Sequence, residues 1–208
     1  MLGNKPVTTT EVKEAGIIIG TVNEIPSAIF QITEKQLKGL TGEGYMIRNT
    51  GKHLIITAKN DAGILYGAFH LLRMIQMHES VSELDILENP EIRLRLLNHW
   101  DNPGNVPEDQ PPVERGYAGG SIFKWTDLPA INRRYSDYAR MLASIGINGT
   151  VINNVNTAKN RLEGWKLLTP EYLPKLKSLA DLFRKYGIRL YISVNFFSPV
   201  LISGLGKI

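Results

Sequence analysis

Residues 134–153 read RYSDYARMLASIGINGTVIN, a helical pattern that leads directly into a strand pattern. Tyr135, Tyr138, Leu142 and Ile145 recur every three or four residues, which places them on one face of a predicted helix. Residues 149–153 then form a short β-rich run. A helix that leads into a strand is the repeating step of an α/β fold.

The same step is present on both sides of this segment. Residues 94–100 predict a strand, Thr169 and Pro170 predict the start of a further helix that ends at Gly187, and residues 188–196 predict another strand. This order predicts parallel strands with right-handed crossovers, hence a doubly wound sheet or a TIM (β/α)₈ barrel. A complete barrel needs about 250 residues, so residues 91–208 would supply only its first βα units.

The first 90 residues have a different pattern. Residues 16–20, GIIIG, predict a buried strand, Thr33 predicts the N-cap of a short helix, and residues 45–48 and 53–58 predict a β-hairpin. Asp61 is expected to cap a helix that packs on the hairpin through one apolar stripe, formed by Ile64, Ala68, Leu71, Leu72 and Ile75. We therefore expect an α/β accessory domain over residues 1–90, a polar linker over 78–91 and an incomplete barrel domain over 91–208.

Composition narrows the class of protein. The 208 residues are 43% hydrophobic and carry a formal charge of +4, with basic and acidic residues mixed along the chain, so a nucleic-acid partner is poorly supported. There is no cysteine, which excludes disulfides and thiolate chemistry. No membrane-spanning stretch is expected, and residues 1–10 lack the apolar core of a signal peptide. We expect a soluble protein, cytoplasmic or periplasmic.

Polar residues follow each predicted strand of the second domain. Asn98-His99-Trp100-Asp101-Asn102 ends the first strand, Asn153-Asn154-Val155-Asn156 ends the second, and Asn195 lies at the end of the third. The carboxyl ends of parallel strands converge on the active site of βα folds. Trp can stack on a sugar ring while Asn and Asp bind its hydroxyl groups, although Asn and Asp are also common turn and cap residues.

The long Pro- and Gly-rich connection over residues 101–125 contains Glu114 and Arg115, which could bind a substrate or form a surface ion pair. Asp101 and Glu114 are the carboxylates nearest the predicted site, and a glycosidase needs two. Nothing in the sequence shows that these two face each other, so no catalytic residue is assigned. The four histidines have no metal-ligand spacing and the glycines form no nucleotide motif, so neither a metal nor a cofactor is expected.

Three strings resemble motifs of the family 67 α-glucuronidases, in the family's order. They are residues 95–102 (RLLNHWDN), 114–119 (ERGYAG) and 153–156 (NNVN). Residues 61–67 (DAGILYG) with 71–73 (LLR) also resemble the family's N-terminal domain, although β-hexosaminidases carry similar strings. The resemblance covers most of residues 15–200.

The resemblance implies an enzyme that removes glucuronic acid or its 4-O-methyl ether from α-1,2 linkage to xylooligosaccharides with inversion, without a metal or cofactor. It implies that the catalytic carboxylates come from later barrel strands, and it leaves a homodimer of the full-length enzyme open. Phe123 stands where the family would have Trp, which could alter sugar stacking. The residues expected to bind substrate are Trp100, Asp101, Asn102, Glu114, Arg115, Tyr117, Asn154, Asn156 and Asn195.

Two alternatives remain at this point. Another barrel glycosidase, such as a β-hexosaminidase, would share an accessory domain followed by a barrel. A non-catalytic carbohydrate-binding or scaffold protein is the alternative from a different class, in which open strand edges pair with another chain. The two classes differ in whether glycosidic bonds are cleaved at all, and the two glycosidases differ in the sugar released.

Overall fold

Residues 16–26, 29, 32–100, 122–125, 127–153 and 167–193 are described by the computed structural model of the chain. The chain divides into two units, Met1–Glu91 and Ile92–Ile208. Each unit combines a β-sheet with helices, and each contains parallel strands. This arrangement confirms the predicted α/β class.

The first unit contains a mixed four-stranded sheet. Its elements are β1 (Gly16–Thr21), α1 (Glu34–Gly39), β2 (Tyr45–Asn49), β3 (His53–Ala58), α2 (Asp61–Gln76) and β4 (Asp85–Glu88). The strand order is β1-β3-β2-β4, with β1 parallel to β3 and the other pairs antiparallel. The predicted hairpin of β2 and β3 is confirmed, and Gly51 in its turn has a φ of 80°. Thr33 caps α1, accepting a hydrogen bond from Gln36 N.

Two expectations for this unit were wrong. Ile17 and Ile19 of β1 are more than half exposed, because among the described strands β1 pairs only with β3 and therefore lies at the edge of the sheet. The predicted linker over residues 78–91 contains β4, which pairs with β2, and Leu84 just before it is buried. A four-residue strand among acidic residues gives too short an alternation to be recognised in the sequence.

Helix α2 packs on the hairpin as predicted, but only part of the predicted stripe faces the core, where Leu71 is buried and Ala68 packs against the cluster. Its buried residues are Gly63, Tyr66, Gly67, Leu71 and Met74, whereas Leu72 and Ile75 of the predicted stripe are exposed. The apolar core between helix and sheet consists of Ile47, Ile56, Leu71, Met74 and Leu84. Asn60 occupies the N-cap position, so Asp61 is the first residue of the helix and not its cap.

The opposite face of the sheet contains a buried polar group. Thr57 on β3 is 1% exposed, and its Oγ1 has no hydrogen-bond partner among the described residues. Ile55, two residues earlier on the same strand, packs in an apolar cluster with Ile25. Alternate residues of a strand share one face, so the hydroxyl group of Thr57 lies on the apolar side of β3.

Thr57→Val is expected to stabilise the first unit by about 1 kcal/mol, because valine keeps the shape of threonine and removes a buried hydroxyl that lost its water without gaining a partner. Amide hydrogen exchange of the β3 backbone, which reports the opening free energy of this unit, measures the effect. Thr150→Val in the second unit is the matched control, followed by amide exchange of the backbone of residues 149–153, since Thr150 is equally buried but its Oγ1 donates to Leu97 O at 3.5 Å. Slower exchange in the control variant and faster exchange in Thr57→Val would contradict the prediction.

The second unit contains three parallel strands in sequential order. They are β5 (Leu96–Trp100), β6 (Gly149–Asn153) and β7 (Arg189–Ser193), connected through α3 (Arg133–Ser144) and α4 (Leu173–Arg184). This is the predicted strand, helix, strand, helix, strand order. It is the arrangement found in the opening βα steps of a barrel.

Asn148 connects the amino ends of these strands. Its side-chain amide accepts a hydrogen bond from Arg95 N at 2.8 Å and donates to Arg93 O at 2.9 Å. Its backbone carbonyl accepts from Arg189 N, at the start of β7. The buried side chain of Asn148 therefore fixes the entry of β5 beside that of β6, while its backbone carbonyl bonds the first residue of β7.

The helices of this unit differ from the sequence predictions at their ends. Ile145 follows the last residue of α3 and is 62% exposed, so it does not belong to the buried face formed by Tyr135, Ala139 and Leu142. Helix α4 begins at Leu173, and Thr169 lies in the preceding turn, where its carbonyl accepts from Tyr172 N and Leu173 N. Gly187 ends the helical segment as expected, with a φ of 70°.

Candidate functional site

The carboxyl ends of β5, β6 and β7 lie side by side. Trp100 pairs in register with Asn153, and Asn153 pairs with Ser193. Because all three strands run in the same direction, the segments that follow them leave the sheet at one edge. This edge is where βα folds place their binding and catalytic residues.

The predicted substrate-binding residues can be placed only in part. Trp100 is the last residue of β5, and its backbone belongs to that strand. Asn156 follows the end of β6 by three residues and Asn195 follows the end of β7 by two. The residues that lie outside the described part of the chain are Asp101, Asn102, Glu114, Arg115, Tyr117, Asn154, Asn156 and Asn195. Their convergence on one pocket stays a prediction.

His99, one residue before the end of β5, is buried within the unit. Its Nε2 lies 3.0 Å from the Tyr138 hydroxyl on α3, and its ring lies edge-on to that of Phe123 at a centroid distance of 5.8 Å. Burial lowers the pKa of His99 and raises the pKa of Tyr138 to about 12. Both groups are therefore neutral near pH 7, and their hydrogen bond is one between uncharged partners.

Phe123 is the centre of an aromatic cluster. Its ring is 1% exposed and contacts those of Tyr135, Trp125 and Phe183 at centroid distances of 5.5, 6.3 and 6.1 Å. The contacts are edge-to-face, the arrangement that aromatic quadrupoles favour. Because the ring is enclosed in the core, Phe123 does not itself stack on a sugar, and an effect on substrate choice stays a prediction.

Sequence reasoning gave His99 no role, and the structure shows that it joins strand to helix. A histidine inside an apolar strand needs a polar partner when it is buried. The spacing of Tyr135 and Tyr138 on one helical face was visible in the sequence, but only the fold shows that Tyr138 is the partner.

Stability of the second unit is expected to depend on pH through His99, the one histidine in residues 92–208. A lowered folded-state pKa means that the unfolded chain binds the proton more readily. The stabilising contribution is thus complete above the ordinary histidine pKa of about 6.5 and is lost as the pH falls towards the lowered folded value.

Urea unfolding followed by tryptophan fluorescence at pH 7.5 and pH 5.5 measures this loss, since all three tryptophans belong to the second unit. The midpoint of the unaltered chain should fall at the lower pH. In His99→Gln the fall should be much smaller. An equal fall in both proteins would show that another group is responsible.

The carboxylates on α3 and α4 form surface ion pairs. Asp137 accepts from Arg140 at 2.6 Å and lies 3.6 Å from Arg133. Asp181 accepts hydrogen bonds from Lys177 and Arg184, which lower the pKa of its carboxyl group. Pairs of this kind are typical of a solvated helix surface, so neither carboxylate is a candidate catalytic acid.

Other binding features are small or absent in the described part of the chain. A cavity of about 120 Å³ is lined by Ile122, Arg134, Tyr135 and Tyr138, which is less than the roughly 300–1,000 Å³ of ordinary ligand sites. Among the described residues, no three His, Asp or Glu side chains converge as metal ligands. No described helix has the length and hydrophobicity that a bilayer crossing requires.

Several solved structures of carbohydrate-active enzymes share this fold. A GH138 enzyme targeting pectin rhamnogalacturonan II matches 97% of this chain and 23% of its own, with a TM-score of 0.57 and 16% identity. A family GH115 4-O-methyl-α-glucuronidase with specificity for decorated arabinogalactans matches 85% of this chain and 23% of its own, with a TM-score of 0.50 and 18% identity. At these identities the likeness concerns the fold alone.

Curated relatives align over nearly the whole chain. Alpha-glucuronidase A of Emericella nidulans is 36% identical over 190 residues, and probable alpha-glucuronidase A of Aspergillus terreus is 36% identical over 194. Alpha-glucuronidase of Hypocrea jecorina is 36% identical over 193 residues. The alignments cover 91–92% of this chain and 21–22% of the relatives, so the chain spans about a fifth of their length.

Two family models match the chain in succession, and they meet within helix α2, before the division between the two units of the fold. The model described as the glycosyl hydrolase family 67 N-terminus matches residues 1–71. The model described as the glycosyl hydrolase family 67 middle domain matches residues 74–208, well over half of the chain. With relatives named α-glucuronidase aligned across both regions, the chain belongs to glycosyl hydrolase family 67.

Proposed function

We propose that the open reading frame containing this chain encodes an α-glucuronidase. The enzyme would hydrolyse α-1,2-linked glucuronic acid, or its 4-O-methyl ether, from xylooligosaccharides and invert the anomeric carbon. The observation that carries the proposal is the register of Trp100, Asn153 and Ser193 at adjacent strand ends, which supports a sugar pocket at that edge. The names of the relatives support the choice of sugar.

In this proposal residues 1–90 act as an accessory domain and residues 91–208 supply one side of the pocket. Trp100 would stack on a sugar ring, and Arg115 would pair with the carboxylate of the uronic acid, since guanidinium groups bind carboxylates through two parallel hydrogen bonds. The other residues proposed to bind substrate are Asp101, Asn102, Glu114, Tyr117, Asn154, Asn156 and Asn195.

The chemistry would require two further groups. An inverting glycosidase uses a carboxylic acid to protonate the leaving oxygen and a carboxylate, roughly 6.5–9.5 Å away, to activate water. We propose that barrel strands encoded beyond residue 208 supply both carboxyl groups. The chain would then bind and orient the sugar while the rest of the enzyme cleaves the bond.

The test is to express the complete open reading frame and incubate it with xylotriose that carries 4-O-methylglucuronic acid. Chromatography should show release of the free uronic acid, and proton NMR of the first product should show the β-anomer. Unsubstituted xylotriose and a chromogenic β-N-acetylglucosaminide are the control substrates, and both should stay intact. Cleavage of the glucosaminide would favour the hexosaminidase alternative, and no cleavage of any substrate would contradict a catalytic role.

A further inference from the structure

Two tyrosines of α3 hold the chain on both sides of the connection between β5 and α3. The Tyr138 hydroxyl lies 3.0 Å from Nε2 of His99, one residue before β5 ends. The Tyr135 hydroxyl accepts a hydrogen bond from Lys124 N at 2.7 Å, in the segment that leads back to the helix. Because the two tyrosines are three residues apart, they lie on the same face of α3.

Phe123 packs between these two hydrogen bonds. Its ring centroid lies 5.8 Å from that of His99 and 5.5 Å from that of Tyr135, and it is fully enclosed. The end of β5 and the segment around Lys124 therefore contact each other through Phe123, and each is also hydrogen-bonded to α3. We call His99, Phe123, Tyr135 and Tyr138 the aromatic anchor.

The hydrogen bonds of the aromatic anchor are shielded from water. His99 and Tyr135 are buried, and Tyr138 is half-buried. A hydrogen bond in such surroundings holds its partners more firmly than one at the surface, because water does not compete for the donor and acceptor. The position of the last residues of β5 is thus set by the helix layer behind them.

We propose that His99 and Tyr138 are positioning residues for substrate binding, because their hydrogen bond fixes the end of β5, where Trp100, Asp101 and Asn102 of the proposed sugar-binding residues follow one another. This inference rests on the proposed function, in which Trp100 and the residues after it contact the uronic acid. Binding groups that are held in place before the ligand arrives lose less conformational entropy on binding. The aromatic anchor would provide this preorganisation without touching the sugar.

The effect should fall on KM and not on kcat. Groups at this end of β5 would bind the sugar equally in the ground state and the transition state, and loss of such uniform binding raises KM alone. Tyr138→Phe and His99→Leu each remove the hydrogen bond, and each should raise KM for the substituted xylotriose about five- to tenfold in the complete enzyme. His99→Gln, whose amide can still bond Tyr138, should restore most of the affinity.

The double variant His99→Leu with Tyr138→Phe should be no worse than either single variant, because both remove the same bond. Tyr186→Phe is the matched control, since Tyr186 lies in the turn before β7 at the opposite end of the strands, and its KM should be unchanged. Thermal unfolding of each variant shows how much folded enzyme is present.

The outcomes separate this inference from the proposed function. If the unaltered enzyme releases no glucuronic acid, the proposed function fails and the inference fails with it. If the unaltered enzyme is active and Tyr138→Phe has an unchanged KM, the inference alone is overturned. The same conclusion holds if Tyr138→Phe contains a smaller folded fraction but its KM is unchanged. A raised KM in both single variants, with restoration by His99→Gln, supports the positioning role.

Discussion

Gly63→Ala is expected to lower the free energy of unfolding of the first unit by about 3 kcal/mol. A Cβ atom at this position would overlap the carbonyl oxygen of Gly44 and lie 2.6 Å from Cβ of Ala58. These neighbours are the backbone before β2 and a buried residue of β3, so neither can move without separating α2 from the hairpin. Amide hydrogen exchange in β2 and β3 measures the loss.

Gly39→Ala is the matched control for Gly63→Ala. Gly39 is the last residue of α1, and a Cβ there meets no heavy atom within 4 Å. Its replacement should leave the first unit unchanged or stabilise it by about 0.5 kcal/mol, since alanine is the better helix former. If both variants change stability by less than about 0.5 kcal/mol, the close approach of α2 to the hairpin does not constrain residue 63.

The position of Gly63 also explains the DAGILYG string that resembles the N-terminal domain of the family. Gly63 and Gly67 are four residues apart and therefore lie on one helical face. A Cβ on Gly67 would lie 2.8 Å from Cγ2 of Ile56, so both glycines allow the helix backbone to approach the sheet. The string thus serves the packing of the first unit.

Asn148→Ala should destabilise the second unit by about 3 kcal/mol. The change removes the hydrogen bonds from the side chain to Arg95 N and Arg93 O, at 2.8 and 2.9 Å. Alanine at the buried position 148 offers these two backbone groups no replacement partner. The penalty for an unsatisfied buried donor or acceptor is larger than the net free energy that its hydrogen bond contributes. Urea unfolding followed by tryptophan fluorescence measures the change, and Trp125 is a suitable reporter because it is buried.

Two further substitutions test the account of Asn148. Asn148→Asp keeps an acceptor for Arg95 N but replaces the donor to Arg93 O with a negative charge, so it should restore little stability. Asn132→Ala removes one exposed bond, from Arg134 N to the N-cap of α3 at 3.0 Å, and should cost only about 1 kcal/mol. Equal losses of unfolding free energy in Asn132→Ala and Asn148→Ala would show that the hydrogen bonds of Asn148 stabilise the unit no more than an exposed helix cap does.

The sequence alone determined the class of fold and the order of the described helices and strands other than β4. The hairpin around Gly51, the capping box at Thr33 and the strand-helix alternation after residue 92 depend on local periodicity and on cap and turn chemistry, which act over a few neighbouring residues. The family was also recognisable from short strings. Each of these signals lies within a contiguous stretch of chain.

Tertiary structure alone decided which faces are buried and which polar groups meet. Edge or centre position in the sheet exposes Ile17 and Ile19, and the approach of two glycines rotates the buried face of α2 away from Ile75. The bond between His99 and Tyr138 joins residues 39 positions apart, and that from Asn148 to Arg95 joins residues 53 apart. Burial and partnership depend on contacts between segments distant in sequence, and periodicity within one segment carries no information about them.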